Sequence, residues 1–240
     1  MCPPQDPHPP GGPLTPPAHP WQAECDALVA GLAHALSNRL STLGAAAQTI
    51  EMGVSGVPMG GMLTAEVERL EEILRFLREL PAAPGEPPEP IHVPELVAEA
   101  FALHRHHRDY RDVGCRLDLH PSAEPVLQPR IALLHALLLM LSAAKKSARD
   151  AAHGSAEADI GLSAEGDGAT VTLSTDAPLP DSSVLWASED DALSIELARM
   201  LGLPAGAFAV ERSEARGSRV RYRLRIPSLG ALRRVEDVRR

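Results

Sequence analysis

The chain has 240 residues, with 32 acidic against 23 basic side chains and a formal net charge of −9, so nucleic acid is not its default partner. Apolar residues reach 44% and aromatics only 3%, which implies a core of Leu, Ala and Val and favours helix-rich packing. The three cysteines, Cys2, Cys25 and Cys115, are widely spaced and form no CxxC pair, so neither a zinc site nor a disulfide framework is indicated.

Residues 1 to 20 hold nine of the 23 prolines and read as a disordered, partly polyproline arm. The start has neither a basic patch nor an apolar run, so no signal peptide is expected. The longest apolar stretch, Ile131 to Leu141, is broken by His135 and is too short for a membrane span. A cytoplasmic protein without membrane contact is therefore expected.

Residues 21 to 80 read as two helices. In the first, Leu28, Leu32, Leu36, Leu40, Leu43, Ala47 and Ile50 recur at steps of three or four. The run MGVSGVPMGG, Met52 to Gly61, ends it in a loop. In the second, Leu63, Val67, Leu70, Leu74 and Leu77 form a heptad-like seam, with Glu and Arg on the outer face. Two amphipathic helices with a short connection predict an antiparallel hairpin. Its half-covered seam predicts pairing with a second copy into a four-helix bundle, a homodimer; the alternative is docking on the rest of the same chain.

Residues 81 to 90, PAAPGEPPEP, are a stiff linker and the clearest domain boundary. Residues 91 to 228 mix element types. Helices are predicted over Val93 to Arg108, Pro129 to Ala148 and Ala192 to Leu201, and a strand over Cys115 to Leu119. A strand pair, Ala158 to Ser163 and Ala169 to Thr175, is joined by the turn EGDG. A last pair follows, Phe208 to Arg212 and Ser218 to Ile226, in which Val220, Tyr222, Leu224 and Ile226 alternate with Arg219, Arg221, Arg223 and Arg225. Residues 229 to 240 read as a tail. The fold class is α+β: a helical hairpin followed by an α/β sandwich.

His34, in GLAHALSNRL, lies off the apolar stripe and should point to solvent from a rigid helix. A neutral imidazole is a usable nucleophile near pH 7 and can carry a phosphoryl group. Asn38 lies one turn later on the same face and could orient a water or a phosphoryl oxygen. The cluster His104 to Arg108 reads as a solvated helix end, since it lacks acidic or Cys partners at ligand spacing, and no metal site is expected. His135 reads as a core-edge histidine. Lys145 and Lys146 lie near a helix end, where the dipole favours cations. Trp186 could cover a pocket or simply pack.

The segment from His34 to Leu40 resembles the phosphoacceptor box of two-component histidine kinases, and the order of hairpin, linker and α/β sandwich resembles that family's dimerisation and Bergerat-type ATP-binding domains over residues 24 to 227. The departures have a common direction. Ala35 stands where the family commonly has an acid, and Arg39 where it has proline. In LLHALLLMLSAAKKSA, which resembles the asparagine box, Leu138 and Ser142 occupy the Asn positions, and Ser142 stands for the magnesium ligand. TLSTDAPLP resembles the first glycine box, with Asp176 at the adenine-reading position but Pro178 and Pro180 for glycines. DDALSIELARMLGL resembles the second, with Ala192 and Ser194 for glycines. Side chains there block the close approach of backbone N–H groups to phosphates.

The resemblance therefore implies a preserved sandwich with a dismantled nucleotide site, in which Asp176 and Ser142 are vestiges. That is the plan of the kinase-derived histidine phosphotransferases. The expected function is transfer of a phosphoryl group at His34 to and from response-regulator receiver domains, with no cofactor. Three alternatives remain: a sensor-kinase core using ATP and magnesium through atypical motifs, a non-catalytic pseudokinase scaffold, and a phosphatase role in which Asn38 positions water.

Overall fold

The computed structural model of the chain describes residues 20–53, 59–81, 85–110, 113–119, 125–151, 160–166, 170–178, 187–204, 206–213 and 219–239. The Pro-rich arm before Pro20, Asp167 and Gly168 of the EGDG turn, Pro180 and Trp186 lie outside the described residues.

The first helix, α1, runs over Pro20–Glu51, with proline tolerated in its first turn. It ends at Gly53, whose φ of 69° is the left-handed conformation that closes helices. The second, α2, spans Met59–Glu79, so Gly60 and Gly61 are helical and not loop as expected. Cys25 faces the Leu80 carbonyl at 3.9 Å and Arg39 bonds Glu66 at 3.1 Å, so the two helices run side by side in opposite directions.

Strand β1 (Glu89–Ile91), helix α3 (Val93–His104), strands β2 (Cys115–Leu119) and β3 (Val126–Gln128) and helix α4 (Arg130–Ala151) follow. Then come β4 (Ile160–Gly166), β5 (Thr170–Pro178), α5 (Ala187–Leu201), β6 (Phe208–Ser213), β7 (Arg219–Pro227) and α6 (Leu229–Arg239). Five strands form one mixed sheet in the order β2-β4-β5-β7-β6, and β1 pairs with β3 in a separate two-stranded sheet. β2 and β4 are parallel, which requires a long crossover, and α4 provides it. The other pairs in the five-stranded sheet are antiparallel. The chain is thus a mixed helix-and-strand fold.

In β7 the alternation holds: Val220, Tyr222, Leu224 and Ile226 are buried, while Arg219, Arg221 and Arg225 are exposed. Four expectations need correction. α3 stops at His104, and Arg105 to Arg108 form a turn whose amides bond back to the carbonyls of Phe101, Leu103 and His104. The expected tail at 229 to 240 contains α6, started by Ser228, whose hydroxyl accepts the Ala231 amide proton. α4 is by length and composition apolar enough to cross a membrane, contrary to the reading of its interrupted run, and 83% of its most apolar window is buried inside the chain. Finally, the face of α2 that the chain buries carries Glu66, Ile73 and Phe76, and Leu80 just after it is buried too. The expected seam is rotated roughly a quarter turn from it, at about 100° per residue, and leaves Val67 45% and Leu74 42% exposed.

One core runs through the chain, joining Leu28 and Leu32 of α1, Phe76 of α2, Leu96 and Leu103 of α3, the apolar body of α4, and Leu224 of β7. The first half of α1 thus docks on the rest of the same chain. Its second half meets α2 through the Arg39–Glu66 pair and the buried Ala46 but leaves Leu40 55% and Ile50 51% exposed. Ion pairs reinforce the joint, as Arg75 of α2 and Arg130 of α4 both bond Glu99 of α3, and Arg130 also reaches Glu79.

Candidate functional site

His34 is exposed on α1, as its place off the apolar stripe implies. The Asn38 amide nitrogen lies 3.2 Å from His34 Nε2, the one-turn spacing expected. With the amide donating, Nε2 presents a lone pair and Nδ1 carries the proton. The imidazole is therefore oriented by its own helix, with Nε2 facing the Asn38 amide.

Arg39 has a structural role. Its guanidinium makes two bonds, of 3.1 and 3.2 Å, to the buried Glu66 carboxylate of α2, which Arg69 also holds at 2.5 Å. A buried carboxylate needs such partners. The pairs fix the register of the two helices beside His34.

The turn after α3 closes one side of the site. A Cβ on Gly31 would meet the His106 carbonyl oxygen at 1.6 Å, so only glycine lets the turn lie against α1 here. This contact places Arg105, His106 and Arg108 around a cleft of about 580 Å³ that also takes in His34, Asn38 and Arg39. Burial holds the His106 imidazole below its usual pKa. Arg108 pairs with Asp109 at 3.1 Å, which holds that carboxyl below the usual range.

The second predicted cluster is rearranged. His104 and His107 are buried, with relative exposures of 0% and 2%, which corrects the reading of a solvated helix end. The Ser142 hydroxyl lies 2.7 Å from Glu24 Oε1 of α1 and 2.7 Å from His104 Nε2. Glu24 is itself buried and lies 3.5 Å from His107 Nε2. The rings of His104, His107 and Tyr110 stack, and Arg149 lies over Tyr110. Burial first, then the nearby Lys145 and His107, press the His104 pKa well below 6.5. Lys145 is 2% exposed and donates to the Tyr110 carbonyl, so its role is burial and not dipole capping. No group of three or more His, Cys, Asp or Glu placed to share a metal ion occurs among the described residues.

Asp176 lies within β5, its backbone paired with Gly161 and Arg221. Ser142 and Lys146 line a second cleft of about 350 Å³ together with Glu24, Tyr110 and Tyr222. His135 is fully buried rather than at the core edge, and its ring stacks on Trp21 at 3.7 Å. Sequence reasoning missed Glu24, Gly31, Arg105 and Arg108 as site residues. Glu24 had a signal, because it continues the stripe of Leu28 and Leu32 one turn earlier, and a carboxylate on an apolar stripe demands partners.

No protein-family profile matches the chain, and no curated protein matches it. Solved structures similar to it include the histidine kinase AdeS of Acinetobacter baumannii, 16% identical with a TM-score of 0.44, covering 82% of this chain and 98% of that one. A histidine kinase from Burkholderia phymatum STM815 is 19% identical with a TM-score of 0.44, covering 86% of this chain and 95% of that one. The histidine kinase ThkA, solved in complex with the response regulator protein TrrA, is 13% identical with a TM-score of 0.45, covering 88% of this chain and 64% of that one.

Proposed function

We propose that the chain is a two-component phosphotransfer protein, in which His34 accepts a phosphoryl group from the phospho-aspartate of one response-regulator receiver and donates it to another. The observation that carries the reading is the exposed imidazole with its Nε2 lone pair oriented by Asn38. In the transfer, the Asn38 amide gives up its bond to Nε2, the freed Nε2 lone pair attacks phosphorus, the bond from phosphorus to the aspartyl oxygen breaks, and the carboxylate leaves with the electron pair. The proton on Nδ1 is retained or passes to solvent. The reverse sequence delivers the group to the second receiver. The receiver brings its own metal site, so this chain needs to supply only a positioned nucleophile.

ATP and magnesium play no part in this proposal. Ser142, the residue in the place of the magnesium Asn, is bonded to the Glu24 carboxylate and to His104. A buried carboxylate at that point repels a polyphosphate. The competing reading is a self-phosphorylating kinase core. It draws support from the cleft beside Ser142, which Lys146 and Tyr222 line. Calorimetry with magnesium and ATP separates the two: no heat of binding is expected, and saturable binding together with label from ATP on His34 would replace the transfer reading.

The working unit is proposed to be a homodimer. The second copy would cover Leu40, Ile50, Val67 and Leu74, which the single chain leaves 42–55% exposed.

A further inference from the structure

The chain carries a net charge of −9, yet the cleft beside His34 is lined by three arginines, Arg39, Arg105 and Arg108, and by no Asp or Glu. His34, His106, Asn38 and Thr42 complete its polar lining. Such local inversion of the overall charge concentrates anions. The arginines are not equivalent. Arg39 is committed to Glu66, and Arg108 is paired with Asp109 while remaining 66% exposed on its side chain. Arg105 is exposed at the rim. Arg105 and Arg108 reach the cleft only because Gly31 lets their turn lie against α1.

We propose that this cleft is a phosphate-binding cradle, in which Arg105 and Arg108 hold the phosphoryl oxygens beside His34 Nε2. The proposal deepens the phosphotransfer reading and assigns these two arginines as positioning residues. A dianion at His34 gains charge-assisted bonds from guanidinium groups, which match phosphate geometry with two N–H donors each. Arg108 can exchange its bond to Asp109 for one to phosphate, since both are surface groups. The second unit of the fold thereby contributes to the site on the helix.

Inorganic phosphate is the probe. The full chain is titrated with it while the His34 ring is followed by proton–nitrogen NMR, in the wild type, the double variant Arg105→Ala/Arg108→Ala, and Arg225→Ala as a charge control on the outer face of β7. A saturable shift of the His34 ring is expected, with a Kd raised at least about tenfold in the double variant and unchanged in Arg225→Ala. Arg105→Glu should abolish the shift. Both arginines are exposed, so folding is preserved, and circular dichroism checks it. A flat titration, or equal Kd in wild type and double variant, overturns the cradle. The test needs no receiver. Phosphate binding without labelling by any receiver therefore removes the phosphotransfer reading and leaves the cradle, whereas labelling with a flat titration does the reverse.

Discussion

Two glycines on α1 should respond to the same substitution with opposite signs. At Gly31 a methyl group would stand 1.6 Å from the His106 carbonyl oxygen and 2.8 Å from its carbon, and ordinary contact begins at 3.4 Å. The turn must therefore retreat by the difference, 3.4 − 1.6 = 1.8 Å, and backbone cannot yield as a side-chain tip can. Replacing a helix-interior glycine by alanine contributes about 1 kcal/mol on its own. Overpacking typically costs about 1–3 kcal/mol, and a clash with backbone that cannot yield falls in the upper part of that range, about 2–3 kcal/mol. Gly31→Ala should then lose about 1–2 kcal/mol net, a Tm lower by roughly 2–8 °C for a chain of this size. At Gly44 the new methyl meets nothing within 4 Å. Gly44→Ala should therefore keep the full propensity gain, a Tm higher by roughly 2–4 °C. Thermal unfolding by circular dichroism reads both, and phosphate affinity should fall only in Gly31→Ala. An equal rise in Tm for both variants refutes the docking of the turn on α1.

Burial brings the His135 pKa down to about 4 from an ordinary 6.5, so the folded state resists a proton that the unfolded chain accepts. Its contribution is intact above pH 6.5 and is lost as pH falls from 6.5 to 4, at roughly 1.4 kcal/mol per unit and at most about 3 kcal/mol. His104, also held low by burial, acts in the same direction. In urea denaturation, His135→Phe should lose about 2 kcal/mol less than the wild type between pH 7 and 5, and parallel acid limbs would count against the account. The dimer is tested by Val67→Glu/Leu74→Glu, at positions the single chain leaves exposed. Analytical ultracentrifugation should show a wild-type dimer and a folded monomeric variant; a monomeric wild type removes the second copy.

The parts of the fold legible in the sequence were those with long-range periodicity. The stripe on α1 and the Val220-to-Ile226 alternation each declare a buried face across many residues. β1 and β3 are three residues each, too short for any period, and Pro90 argues against a strand except at an edge. The seam on α2 was a genuine apolar row, but burial follows what packs nearby, and Ile73 and Phe76 meet the core instead. His34 and Asn38 could be placed because one helix carries both, and local geometry decides their spacing. The rest of the site depends on long-range docking. His104 and His107 read as surface groups because their partners, Glu24 and Ser142, lie far away in sequence. Arg105 and Arg108 belong to the site only through the contact at Gly31, which no local pattern announces.

The central claim rests on one nitrogen. The direct measurement is incubation of the full chain with phosphorylated receiver domains, followed by detection of acid-labile phosphate on the protein. His34 is exposed, so His34→Ala leaves the core intact and isolates the chemistry. The account predicts label on the wild type that moves to a second receiver, and none on His34→Ala. Equal label on both proteins would contradict it.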